Sequence, residues 1–153
     1  MLAKNIKQDA RLPTRTYHAD PSAMNHLNTS SSALFISASA LSGLFAVALG
    51  AFGAHGLKHY LSPEKLAIFH TATQYQMYHA LALLGVGVLI RLSPATKTLK
   101  ISGLAFILGT VLFCGSLYAL ALGAPTVTGI ITPFGGISFL AGWWWLVLSA
   151  RRV

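Results

Sequence analysis

Leu41–Ile90 reads LSGLFAVALGAFGAHGLKHYLSPEKLAIFHTATQYQMYHALALLGVGVLI, and the architecture of the chain turns on these residues. Two long apolar segments flank a short polar connection, and four of the six histidines (His55, His59, His70, His79) fall inside it. Ser62-Pro63-Glu64 is a helix start. Ser62 can cap, Pro63 suits the first turn, and Glu64 meets the positive end of the helix dipole. The helix that follows is expected from Pro63 to about Ile90, about 28 residues or roughly 42 Å, longer than bilayer hydrocarbon requires. Its first turns therefore belong in or beyond the interface, with the span proper at about 70–90.

Composition agrees with a membrane protein. The chain is 54% hydrophobic and only 9% charged, with mean hydropathy +0.63, where soluble domains carry about 25% charged residues. Eleven Lys and Arg stand against three acids, for a net charge of +8. These bases flank apolar segments instead of forming a stripe, which argues against nucleic acid and makes the lipid bilayer the expected partner. The single cysteine, Cys114, excludes an intrachain disulfide and a thiolate metal cage. In its apolar run it reads as a small buried side chain.

Residues 1–32 are polar, carry Lys4, Lys7, Arg11 and Arg15, and contain Pro13 and Pro21. They read as a disordered basic tail. Met24 offers a second in-frame start, so part of the tail is a candidate annotation artefact. Ala46-Val47-Ala48 fits the small-residue rule for signal cleavage, but the charged region before the apolar run is too long for an ordinary signal, which favours an uncleaved helix.

The first span is expected at about 33–54, with Ser39, Gly43, Ala46, Gly50 and Ala54 lining one face for close helix contact. Arg91, Lys97 and Lys100 then mark a short basic loop turned at Ser93-Pro94. The third span is expected at about 101–122, where Ser102, Gly109, Ser116 and Gly123 recur at coiled-coil spacing, favouring left-handed packing. No helix is visibly broken at mid-depth. Thr132-Pro133 repeats the cap-plus-proline pattern and opens a fourth span at about 133–150, with Gly135, Ser138, Gly142 and Ser149 on one face. Trp143, Trp144 and Trp145 lie near the end closed by Arg151 and Arg152, and read as interface anchors or, alternatively, as a stacked ligand site. Four spans place the tail, the 91–100 loop and residues 151–153 on one side with most of the bases, and Lys58 and Lys65 on the other. The positive-inside rule then puts both termini in the cytoplasm. The expected fold is all-α: a polytopic four-helix transmembrane bundle.

The polar groups in apolar surroundings are the candidate site. Tyr75, Gln76 and His79 share one helical face with Ala72, opposite His70, Gln74 and Met77. His79 falls near mid-bilayer and should be neutral, hydrogen-bonded and turned into the bundle. Ser116 and Ser138 lie at similar depth as plausible partners. The functional reading is a proton relay or ligand contact; the bland one is an interhelical hydrogen bond. His55 lies level with His70, about 16 Å from the depth of His79, which disfavours a haem between His55 and His79. His55 with His70 leaves a metal or haem open, although two histidines without carboxylate or thiolate make a weak signature; the alternative is that His55 caps carbonyls at a glycine-rich helix end. No catalytic constellation is visible. Paired carboxylates, a nucleophile elbow and a phosphate-binding glycine loop are all missing.

Four motifs in order carry a family resemblance: Gly50-Ala51-Phe52-Gly53-Ala54-His55, Tyr75-Gln76-x-x-His79, Gly109-Thr110-Val111-Leu112-Phe113-x-Gly115-Ser116-Leu117-Tyr118, and Thr132-Pro133-x-Gly135-Gly136-x-Ser138-Phe139-Leu140-Ala141-Gly142-Trp143. Over about residues 33–150 the chain resembles the YgdD-like small inner-membrane proteins, a domain-of-unknown-function family with eukaryotic relatives. The resemblance implies a four-span protein of the bacterial inner membrane and no particular activity or cofactor; the tail 1–32 departs from the short N-termini it leads one to expect. The leading expectation is a non-enzymatic membrane protein acting by packing, homo-oligomerisation or a membrane-protein partner. The alternatives are a small carrier or proton-linked permease using His79, Gln76 and Tyr75, and a haem, quinone or metal binder at His55 and His70.

Overall fold

Residues 21–93 and 97–150 are described by a computed structural model. Every long uncharged run forms a helix, as backbone groups in hydrocarbon require. Helix α1 covers Pro21–His55 and α2 covers Pro63–Leu92. The third span is built of α3 (Lys97–Gly109), a π-helical turn (Thr110–Cys114) and α4 (Gly115–Ala121). A 3-10 turn (Thr126–Ile130) leads into α5 (Ile131–Ala150). The four spans are each long and apolar enough to cross a membrane.

Hydroxyls and one amide fix the pairing. Ser32 Oγ donates to the Gly87 carbonyl (2.9 Å), Ser39 Oγ to that of Ala80 (2.9 Å), and Gln76 Nε2 to that of Ser42 (3.1 Å). As residue numbers rise on α1 they fall on α2, so the two form an antiparallel hairpin. In the second hairpin, Ser102 Oγ donates to the Gly142 carbonyl and Ser138 Oγ to that of Ala105, both at 2.8 Å, which makes the third span and α5 antiparallel too. Each such bond contributes on the order of 0.6 kcal/mol in a bilayer. The hairpins join where α2 packs along the third span, while α1 and α5 lie on opposite flanks. The result is an open bundle with a core of Leu83, Val86, Ile90, Leu99, Phe106 and Cys114.

Several expectations shift in detail. Ser62 does cap α2, its Oγ accepting from the Lys65 N–H at 3.4 Å. Helix α1, however, is already helical at Pro21, well before the span expected from about 33. The buried seam of α1 runs Ser32, Phe35, Ser39, Ala46 and Gly53; it keeps Ser39 and Ala46 of the expected face, while Gly43 and Gly50 are only half-buried and Ala54 is exposed. A Cβ at Gly43 or Gly50 would meet nothing within 4 Å. Gly123 leaves the third-span seam to form the turn after α4, at φ +101°. Thr132 lies inside α5 and shares a 2.7 Å hydrogen bond with Ser116 Oγ; it does not cap the helix.

Arg91, Lys97 and Lys100 gather at the end of the bundle where α1 starts and α5 finishes, and Lys58, Glu64 and Lys65 at the opposite end. Residues 1–20 of the expected 1–32 tail, the turn residue Pro94, and Arg151 and Arg152 lie outside the described residues.

Candidate functional site

The polar centre of the molecule is built on α2 and completed by the second hairpin. Its spacing places Ala72, Gln76 and His79 in buried positions on one face, with Tyr75 at the margin, 40% exposed. His79 Nδ1 lies 2.8 Å from the Tyr75 carbonyl, which can only accept. Trp143 Nε1, which can only donate, lies 3.3 Å from His79 Nε2. These two partners select one form of the ring: neutral, with its hydrogen on Nδ1. A second proton on Nε2 would face the indole N–H.

The ring is enclosed by aromatic side chains. Phe139 stacks on it with centroids 3.4 Å apart and planes at 7°, and Phe106 approaches at 5.6 Å. Trp143 meets Phe106 edge-on at 5.2 Å. Backbone glycines make room for these rings. A Cβ at Gly142 would stand 2.6 Å from Phe106 Cε1, and one at Gly109 would stand 2.6 Å from Phe139 Cε1. A helical turn higher, Gln76 links three elements, its Oε1 accepting from Tyr118 Oη at 2.7 Å while its Nε2 holds the Ser42 carbonyl of α1.

The partners expected for His79 are corrected by this geometry. Ser116 donates to the Phe113 carbonyl at 3.0 Å and pairs with Thr132, and Ser138 bonds to Ala105. Both hydroxyls serve helices of the second hairpin, so neither reaches the histidine. Trp143 takes that place, in contrast to the anchoring role expected from its basic flank. Trp144 beside it is 63% exposed and does face outward. No local pattern distinguishes the two indoles; only a partner 64 residues away does. Tyr75 contributes its carbonyl, and its ring lies 4.8 Å from Phe113 at the lipid-facing margin.

His55 and His70 share the opposite end of the bundle but differ in setting. His70 is half-buried and packs near Gly53 of α1, while His55 is exposed. The end of α1 is closed by the Gly56 N–H donating to the Phe52 carbonyl at 2.7 Å, and the His55 ring makes no hydrogen bond among the described residues, so it does not cap. No cluster of three or more metal-ligating side chains occurs among the described residues.

The third span was expected to run unbroken, yet it widens into the π turn Thr110–Cys114 beside His79. Such turns carry an extra residue in one helical turn and displace the helix wall. Between that wall and α1 lies a cleft of about 90 Å³ floored by His79 and Leu83. Ser42 lines it from α1, and the Ser42 Oγ is the one buried side-chain polar atom without a hydrogen-bond partner among the described residues.

Apolar exteriors on four long helices and polar atoms turned inward define a small polytopic α-helical membrane protein. Residues 49–136 match the family described as "Protein of unknown function (DUF423)". A UPF0382 membrane protein of Staphylococcus saprophyticus is 42% identical over 122 residues, covering 78% of this chain and 98% of that one. The UPF0382 membrane protein YwdK of Bacillus subtilis is 41% identical over 119 residues (78% and 97%), and the UPF0382 inner membrane protein YgdD of Escherichia coli is 42% identical over 118 residues (74% and 86%). The chain belongs to this family of membrane proteins of unknown function, as its four motifs led us to expect. No solved structure matches it.

Proposed function

We propose that the chain is a non-enzymatic protein of the bacterial inner membrane, with both termini in the cytoplasm, that works by lateral contact with another membrane chain or a second copy of itself. The observation that carries this reading is the closed network around His79 and Gln76. Both histidine nitrogens, both ends of the Gln76 amide and the Trp143 N–H are engaged by one another, by backbone or by the Tyr118 hydroxyl. A proton relay or carrier site needs such groups free to exchange partners; here they hold helices in register. Helix α1 supports the contact role. It packs chiefly on α2 and exposes Leu34, Leu41, Leu44, Phe45, Val47 and Phe52. The name of the YgdD relative supports the inner membrane, and the grouping of Arg91, Lys97 and Lys100 at the end where α1 starts supports cytoplasmic termini.

The test places a photo-crosslinking residue at Leu44 on the exposed face of α1 and, separately, at Leu83 in the core, in intact membranes. A discrete protein adduct from Leu44 and none from Leu83 is expected. Solute flux or substrate turnover in proteoliposomes that is lost in His79→Phe would overturn the reading. Reporter fusions at both ends check the orientation.

A further inference from the structure

We propose that the cleft between α1 and the third span binds a neutral, lipophilic molecule bearing a carbonyl group, which enters sideways from the bilayer. The hydroxyl of Ser42 is the first reason. Buried Ser32, Ser39 and Ser102, and half-buried Ser138, all donate to carbonyls on a neighbouring helix. Ser42 lies on the α1 surface turned toward the same partner helix, yet its Oγ is buried with no partner. A buried unpaired hydroxyl is costly, and more so where no water competes. Rotation about χ1, among three staggered positions, turns its O–H toward the space it lines.

The remaining lining sets the chemistry of the guest. Thr110 lines the opposite wall, and its O–H already donates to the Phe106 carbonyl at 2.9 Å. His79 forms the floor with both nitrogens engaged. Ser42 is therefore the one free donor in the cleft, and the group that satisfies it is an acceptor. Among the described residues no Lys, Arg, Asp or Glu lines the cleft, so an ion would stand unpaired in hydrocarbon. The volume of about 90 Å³ accommodates a carbonyl and the ring edge or chain segment that bears it. Val111, 64% exposed at the rim, leaves the remainder of the guest among acyl chains. The π turn starts at Thr110 and shapes this wall; turns of this kind recur at functional sites. A quinone ring and an ester-bearing lipid share the required chemistry.

The experiment uses the full chain in nanodiscs of the ether-linked di-O-phytanyl phosphatidylcholine, whose chains carry no carbonyl, with Trp144→Phe and Trp145→Phe so that Trp143, bonded to the floor histidine, is the remaining fluorophore. Decylubiquinone is titrated as the probe, because quinones quench indole emission. Saturable quenching is expected, weakened about fivefold to tenfold by Ser42→Ala, which removes one hydrogen bond to the guest. That variant deletes an unpartnered atom, so its heat stability without ligand should equal or exceed that of the parent. Ala38→Leu, which fills the cleft from α1, should abolish saturation. Methyl palmitate is the second arm. Displacement of the quinone by it assigns the site to ester-bearing lipids, and failure to displace assigns it to quinones. Non-saturable quenching, unchanged affinity in Ser42→Ala, or equal displacement by decylbenzene, which has no carbonyl, would each overturn the proposal.

Discussion

Gly135→Ala tests whether the second hairpin is held by contact between backbones. An alanine Cβ at 135 would stand 2.7 Å from the Phe113 Cα and closer still to its backbone nitrogen. Main-chain atoms cannot swing aside as a side chain does, so α5 must move away from the π turn or the turn must yield. Phe113 is also tied to Tyr75 at 4.8 Å and Phe139 at 5.6 Å, so its displacement disturbs the rings around His79. Overpacking of this kind costs about 1–3 kcal/mol. Alanine's helix propensity would return about 0.5–1 kcal/mol in water, but less where the unfolded reference is still helical. The net expectation is a loss of about 2 kcal/mol, within the roughly 5- to 30-fold range of a shift of one or two kcal/mol. Gly43→Ala serves as the matched control, because a Cβ there meets nothing within 4 Å; it should change stability by less than about 0.5 kcal/mol. Both are measured by reversible unfolding of purified protein in mixed micelles of dodecyl maltoside and SDS. If Gly135→Ala proves as stable as Gly43→Ala, the helices do not approach as closely as argued, and the account of the motif glycines is wrong.

Three further outcomes follow from the polar and buried groups. Trp143→Phe should lower stability by about 1–3 kcal/mol, since it leaves His79 Nε2 buried without its donor, whereas Trp144→Phe should be nearly neutral in the same unfolding assay. Gln76→Leu and Tyr118→Phe should each destabilise, and a double-mutant cycle should return a coupling of about 1 kcal/mol for their 2.7 Å hydrogen bond. Cys114, 1% exposed, should resist a membrane-permeant maleimide in folded protein and react once SDS unfolds it, as followed by mass shift.

What the sequence made legible was what depends on local composition. Uncharged runs gave the four spans, Ser62-Pro63 gave the start of α2, and helical spacing put Gln76 and His79 on a buried face. What escaped depends on rotation and on distant neighbours. Of the small residues expected on one face of α1, Ser39 and Ala46 are buried and Gly43, Gly50 and Ala54 are not, because small-residue spacing says that close approach is allowed but not at which rotation. The rotation is set by where the Ser32 and Ser39 hydroxyls find carbonyls on α2. The π turn was invisible because Thr110–Cys114 has an unremarkable apolar composition. Trp143 was read by its basic flank, although its indole reaches a histidine two helices away. Three of the four motifs, separate in sequence, converge in the fold: Phe139 and Trp143 meet the His79 imidazole, and Gly109 makes room for the Phe139 ring.

Five of the interhelical bonds among the described residues accept on a main-chain carbonyl: those of Gly87, Ala80, Ser42, Gly142 and Ala105. A carbonyl is present whatever residue occupies the position. Hereditary change on the accepting side is thus constrained by bulk alone, while the donating side must keep a hydroxyl or an amide. Sequence drift in these helices should accordingly be lopsided, with Ser39 resisting exchange for alanine while Ala80 opposite it admits serine or glycine without loss of register.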